Sequence, residues 1–265
     1  MTETQTRTPR FFITAIIIGL AAGLLSGLFG VGGGTVIVPA LVFFLGYNQR
    51  LAAGTSLAAI VPTATVGVIS YAVTDSVSWV AAIILALGAI IGAQIGTWLL
   101  QRLPVLVLRW SFIGFLALVI ISLYLVIPSR DAVLEFHALT IAGLAVLGLI
   151  TGILAGLLGV GGGIVVVPML IIVFGASDLV AKGTSLLMMI PTAVSGTFGN
   201  VKRKNVDLVA AATIGVAACT TTALGAWLAT LLDPFLANVL FSLFIAFIAI
   251  QMALKAIREG RAKKA

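Results

Sequence analysis

Residues 27–39 read GLFGVGGGTVIVP, and residues 156–168 read GLLGVGGGIVVVP. The phrase puts five glycines into eight residues and returns 129 positions later. Glycine inside a helix costs about 0.5–1 kcal/mol relative to alanine, and it reaches backbone conformations that other residues avoid. Each stretch therefore predicts an interruption of the chain's regular structure, made once in each half. Aligning the chain with itself at this offset matches 25 of the 49 positions between Gly19 and Gly67. The matches include Gly30–Gly34 with Gly159–Gly163, Pro39 with Pro168, GTSL at 54–57 with GTSL at 183–186, and PTA at 62–64 with PTA at 191–193. Further along, Trp98 matches Trp227. Self-similarity at a fixed offset marks a tandem duplication. Residues 1–130 are read as the first repeat and 131–265 as the second.

The surroundings of these glycines fix the solvent. The 265 residues are 61% hydrophobic and 9% charged, with a mean hydropathy of +1.26. A water-soluble domain carries about 25% charged residues. The predicted class is an all-α, polytopic helical membrane protein in which both repeats form one membrane domain. A β-barrel is excluded, because its strands alternate apolar and polar residues and these runs are apolar on every side. Each repeat holds five apolar segments, near 11–30, 35–46, 51–73, 78–100 and 106–127, then near 138–159, 164–175, 180–200, 207–231 and 236–257. Four of each five reach spanning length. The second does not: twelve helical residues rise about 18 Å against a hydrocarbon core of about 30 Å. The basic and then apolar N-terminus imitates a signal peptide, but residues 141–158 match the same run in mid-chain, so both are read as mature spans.

Charge in the links sets the topology, since basic loops stay in the cytoplasm. NVKRKN at 200–205 and the tail KAIREGRAKKA at 255–265 are expected inside, with Arg7, Arg10 and, more weakly, Arg102. VTDSVS at 73–78, the central link at 128–137 and the turn around Asp233 are expected outside. Links 73–78 and 202–207 are equivalent yet fall on opposite sides. Each repeat then crosses an odd number of times, the repeats are inverted, and both termini are cytoplasmic. If segments 11–46 made one broken crossing instead, there would be eight crossings and parallel repeats.

Inverted repeats with glycine-broken segments at matching positions point to a binding site near the membrane midplane. Bare backbone survives there only where it is buried or lines a polar cavity. The amides at the start of the helix after each break carry about half a positive charge, enough to hold an anion. The substrate-binding candidates are Gly32, Gly33, Gly34, Gly161, Gly162 and Gly163, with the hydroxyls of Thr55, Ser56, Thr184 and Ser185. Gly30, Gly159, Pro39, Pro168, Pro62 and Pro191 are structural or hinge candidates, the last two expected to interrupt and kink their helices beside Thr63 and Thr192. Against this stand plainer readings. Glycines in membrane helices also allow close packing, which is all that GAQIG at 92–96 and TGILAG at 151–156 are expected to do. Membrane hydroxyls often bond only their own backbone. Lys182 replaces Ala53 of the first repeat, and serves either as a snorkelling anchor or as a contact for the anion. Arg50 and Arg109 read as anchors.

No acid lies centrally in a long apolar segment; Asp75, Asp131, Glu135, Asp178, Asp207 and Asp233 sit at links. A proton relay and a cation cavity are therefore not expected. Catalytic residues, cofactors and metal ligands are likewise not expected: there is no phosphate loop, no HExxH and no Cys/His cluster, only Cys219 and His137. No nucleic-acid partner is expected; the lipid bilayer, a small anion and a possible second copy are.

The paired sequences GLFGVGGGTVIVPAL with AAGTSL, and GLLGVGGGIVVVPML with AKGTSL, resemble the TauE/SafE (sulfite exporter, TSUP) family over nearly the whole chain. The resemblance implies a multi-pass transporter of the bacterial inner membrane, built by internal duplication and moving sulfite, thiosulfate or organosulfonates, often outwards. It carries the family's glycine motifs onto Gly30–Gly34 and Gly159–Gly163 with Pro39 and Pro168, and its Gly-Thr-Ser motifs onto Gly54–Ser56 and Gly183–Ser185. The expectation is an alternating-access exporter of small sulfur anions. An anion channel and a non-transporting membrane scaffold are the alternatives.

Overall fold

The computed structural model describes residues 8–124, 136–233 and part of 235–254. Arg7, the central link at 128–135 with Asp131 and Glu135, and the basic tail at 255–265 lie outside the described residues, as do 125–127 of the fifth apolar segment. The described residues form helices and no strand: α1 (Pro9–Phe29), α2 (Gly34–Phe44), α3 (Gln49–Ala72), α4 (Trp79–Arg102), α5 (Val105–Tyr124), α6 (Ala138–Leu158), α7 (Gly163–Ile172), α8 (Asp178–Lys202) and α9 (Leu208–Leu231), with further helical residues within 235–254. At the 129-residue offset, α1 to α4 correspond to α6 to α9. Local chemistry repeats too. The Asn48 side chain accepts from Leu51 N at the start of α3, and Ser177 accepts from Val180 N at the start of α8, each satisfying an amide that a helix start leaves open.

Six helices of 21 to 25 residues, α1, α3, α4, α6, α8 and α9, are long and apolar enough to cross a membrane among the described residues. At 11 and 10 residues, α2 and α7 are too short. Of these six, α3 and α8 are the most enclosed, and they pack on each other at the centre. The outer helices turn large apolar side chains outwards, among them Ile17, Ile83, Leu87, Val146 and Val216, as lipid allows.

The main packing pairs exchange between the repeats: α1 lies along α9, and α4 along α6. Glycines make both seams. Gly19, Gly23 and Gly27 lie against Ala217, Thr221 and Ala226 in turn, and Gly88, Gly92 and Gly96 against Ala145, Leu149 and Ile153. Each pair therefore runs in the same direction. Lipid removes the hydrophobic drive between helices, so close backbone approach through small residues supplies the attraction. The glycines of GAQIG and TGILAG belong to the α4–α6 seam. A Cβ at Gly152 would stand 2.6 Å from Ala89 Cα, whereas one at Gly114 in α5 would meet nothing within 4 Å. Gly152→Leu is therefore expected to cost about 1–3 kcal/mol or more in stability and Gly114→Leu little, as read by thermal melts in detergent.

α3 and α8 run in opposite directions: Gly54 and Gly67 of α3 neighbour Asn200 and Leu186 of α8, while Gly183 and Gly196 of α8 neighbour Tyr71 and Leu57 of α3. The contacts bring α3's start, α4's end and the α8–α9 link to one end of the molecule. Arg50 Nη2 donates to Leu103 O (3.0 Å) and Arg203 Nη1 to Thr97 Oγ1 (2.9 Å). Arg50, Arg102, Lys202, Arg203 and Lys204 gather at this end, as does Arg10, because α1 starts beside the start of α9. Asp75, Asp178 and Asp233 are at the other end.

Pro62 and Pro191 do not interrupt their helices. α3 and α8 run through them, since a proline removes one backbone hydrogen bond and packing at the centre of the fold holds the rest.

Candidate functional site

Both glycine stretches break the chain. α1 ends at Gly30 (φ 69°) and α6 at Gly159 (φ 77°), each in left-handed backbone, and each amide closes on the carbonyl four residues back. After a further left-handed residue, Gly33 (φ 75°) and Gly162 (φ 87°) open α2 and α7. A side chain at these positions costs roughly 1–2 kcal/mol in backbone strain. Neither helix start has a side-chain cap, so its first amides lack the side-chain acceptor that a helix start commonly has. Residues 26–42 and 155–164 are buried throughout.

The two breaks meet. A Cβ at Gly34 would stand 2.6 Å from Val160 Cα and 2.7 Å from Gly159 O, and one at Gly163 would stand 2.7 Å from Gly30 O. Gly32 and Gly161 face the same two side chains: Cβ atoms there would come within 3.3 Å and 3.1 Å of Ile60, and 2.5 Å and 3.1 Å of Met189. Ile60 and Met189 are equivalent positions near the middle of α3 and α8. Self-alignment gave no sign of them, because the two residues differ in type.

Ser56 and Ser185 cross between repeats. Ser56 Oγ donates to Gly159 O (2.7 Å) and Ser185 Oγ to Gly30 O (3.0 Å), so each break is tied to the other repeat's central helix. Thr55 Oγ1 accepts from Asp207 N (3.0 Å) and Thr184 Oγ1 from Ser78 N (2.9 Å), fixing the starts of α9 and α4. All four hydroxyl residues are fully buried. Thr63 and Thr192 donate to Ala59 O and Met188 O in their own helices.

Lys182 lies at the first break. A Cβ on Gly30 would stand 2.6 Å from Lys182 Cα, the place Ala53 takes beside Gly159. Its Nζ is 3.3 Å from Asp178 Oδ2, and both residues are buried. It does not reach out as an anchor would. Asp178, a link residue by sequence, is the first residue of α8 and faces inwards; only its i, i+4 spacing from Lys182 could have signalled the pair. Nearby, Tyr71 Oη donates to Gly27 O (2.7 Å). Among the described residues no group of three or more His, Cys, Asp or Glu is arranged to hold a metal.

Known proteins share this sequence pattern. The family described as sulfite exporter TauE/SafE matches residues 2–123 and again 144–265. A probable membrane transporter protein of Xylella fastidiosa (strain 9a5c) is 31% identical over 250 residues, covering 88% of this chain and 90% of its own. One of Haemophilus influenzae is 29% identical over 265 residues, 92% of this chain and 99% of its own. The probable membrane transporter protein YunE of Bacillus subtilis (strain 168) is 27% identical over 214 residues, 72% of this chain and 78% of its own. No solved structure gives a significant match. With both halves matched separately and the match spanning most of its length, this chain belongs to the sulfite exporter TauE/SafE family of membrane transporters.

Proposed function

We propose that this protein exports a small sulfur-containing anion, such as sulfite, thiosulfate or an organosulfonate, across the bacterial inner membrane by alternating access. The observation that carries the reading is the convergence of two uncapped, left-handed glycine breaks on one pair of central side chains, Ile60 and Met189. Amides at Gly32–Gly34 and Gly161–Gly163 replace part of the anion's hydration without a central buried carboxylate to repel it. Lys182 attracts the anion to the first break. Ser56 and Ser185 hold the breaks against the central helices, Thr55 and Thr184 hold the starts of α9 and α4, and all four exchange partners as the repeats move.

Residues 1–130 and 131–265 act as inverted repeats in this mechanism, which the opposed directions of α3 and α8 support. The α1–α9 and α4–α6 pairs then rock about the central α3–α8 pair, with Met189 and Ile60 closing the path between the breaks. The gathering of Arg10, Arg50, Arg102, Lys202, Arg203 and Lys204 at one end supports cytoplasmic termini.

The test is flux. Purified protein in proteoliposomes is expected to give saturable sulfite or taurine transport, absent from protein-free vesicles, and no single-channel currents in planar bilayers. Unitary currents would replace alternating access with a channel. Absence of flux for every anion tried would overturn the reading.

A further inference from the structure

The breaks match in backbone but differ in chemistry. Ser26 sits one turn before the end of α1, and Thr35 lies in the first turn of α2. Both are fully buried, and neither hydroxyl has a hydrogen-bond partner. The other fully buried threonines have partners: Thr63, Thr151, Thr192 and Thr222 close onto the carbonyl four residues back, Thr97 onto Gln94 O, and Thr55 and Thr184 accept from link amides. A buried hydroxyl left open is costly, and native structures keep few without a reason.

These two flank one feature. Ser26 O accepts from Gly30 N (2.8 Å), so Ser26 stands at the closing turn of α1. A Cβ on Gly33 would lie 2.9 Å from Ala22 O, one turn earlier on the same helix, which sets the start of α2 alongside. There Val36 N and Ile37 N both turn to Gly33 O, and the amides of Gly34 and Thr35 precede any helical acceptor. In the second repeat the backbone is the same, but the equivalent residues are Ala155 and Ile164. A role in shaping the break would need both hydroxyls in both repeats. Their presence on one side only, unused by the fold, points to a guest.

We propose that the anion's oxygens are held on the first repeat's side of the site, by Ser26 Oγ, Thr35 Oγ1 and the opening amides of α2, while the second break completes the enclosure without donating hydroxyls. The donor set, two hydroxyls and backbone amides, suits a group with several acceptor oxygens on one centre, as in sulfite or a sulfonate. This rests on the anion-transport reading and adds an asymmetry to it.

The experiment uses the full-length protein in detergent, with sulfite and taurine as probes, read by calorimetric titration and thermal shift. Ser26→Ala and Thr35→Val are each expected to weaken binding about tenfold, and the double variant about a hundredfold, since a hydrogen bond to a charged group is among the stronger ones. Thr35→Ser restores near-native affinity. The ligand-free melting temperature of the double variant stays level or rises, because an unsatisfied buried hydroxyl has been removed. Unchanged affinity in the double variant overturns the inference and leaves the transport reading standing. A fall in ligand-free melting temperature that tracks the loss of binding also overturns it, by assigning the hydroxyls to the fold. Failure of the unaltered protein to bind either probe overturns this inference together with the reading beneath it.

Discussion

Replacing both Gly33 and Gly162 by leucine is expected to lower anion flux about a hundredfold or more while the protein still inserts and folds. Both residues sit in left-handed backbone, at φ 75° and 87°, where a leucine costs roughly 1–2 kcal/mol. Their Cβ atoms would also stand 2.9 Å from Ala22 O and 3.1 Å from Thr151 O. Relief comes only by rotating the start of α2 or α7, which turns the first amides away from the point where the breaks meet. Each factor of ten in affinity corresponds to about 1.4 kcal/mol, so two such displacements reach the expected loss. The fold supplies its own control. Gly46 and Gly175 form another equivalent pair in left-handed backbone, at φ 67° and 66°, with no atom within 4 Å of an added Cβ. Gly46→Leu plus Gly175→Leu carries the same backbone strain outside the site, and flux per folded molecule should stay near that of the unaltered protein. Equal losses in the two double variants would mean that strain alone, and not the place of the break, sets the effect.

The breaks were legible because glycine announces itself. A duplicated run of five glycines in eight residues leaves few readings, and the helix ends fall where the composition placed them. Seams made by Gly92, Gly96, Gly152 and Gly156 were legible for a related reason, since small residues one turn apart have a single common use in lipid. The prolines were misread as interruptions because the sequence does not state how firmly neighbours hold a helix. Pro62 and Pro191 lie in the two most enclosed of the six spanning-length helices, and those helices run on. Ile60, Met189 and Tyr71 were invisible for a third reason. Each is an ordinary apolar or aromatic residue in a helix, and its role comes from what the folded chain places opposite it. Ser26 and Thr35 were hidden for the converse reason: a hydroxyl in a membrane helix normally bonds its own backbone, and only coordinates reveal one that does not.

Lys182→Met is expected to destabilise the protein by about 3–5 kcal/mol, the usual cost of removing one member of a buried ion pair. Asp178 is 2% exposed and Lys182 8%, so the carboxylate would lose its ammonium in a setting water barely reaches. Asp178→Asn plus Lys182→Met should recover most of that loss, because two neutral side chains of similar size leave no charge behind. The cycle of single and double variants, followed by thermal melts in detergent, isolates the coupling between the two residues. Flux then separates structure from function. If the pair only braces the start of α8, the double variant should carry sulfite as well as the unaltered protein does. If Lys182 draws the anion to Gly30, the double variant should be stable yet require at least tenfold more substrate for half-maximal flux. The first repeat offers the comparison, since Gln49 and Ala53 occupy the equivalent positions beside the second break. The neutral double variant therefore makes the α8 end resemble the α3 end, and any transport it loses measures what the charged end contributes.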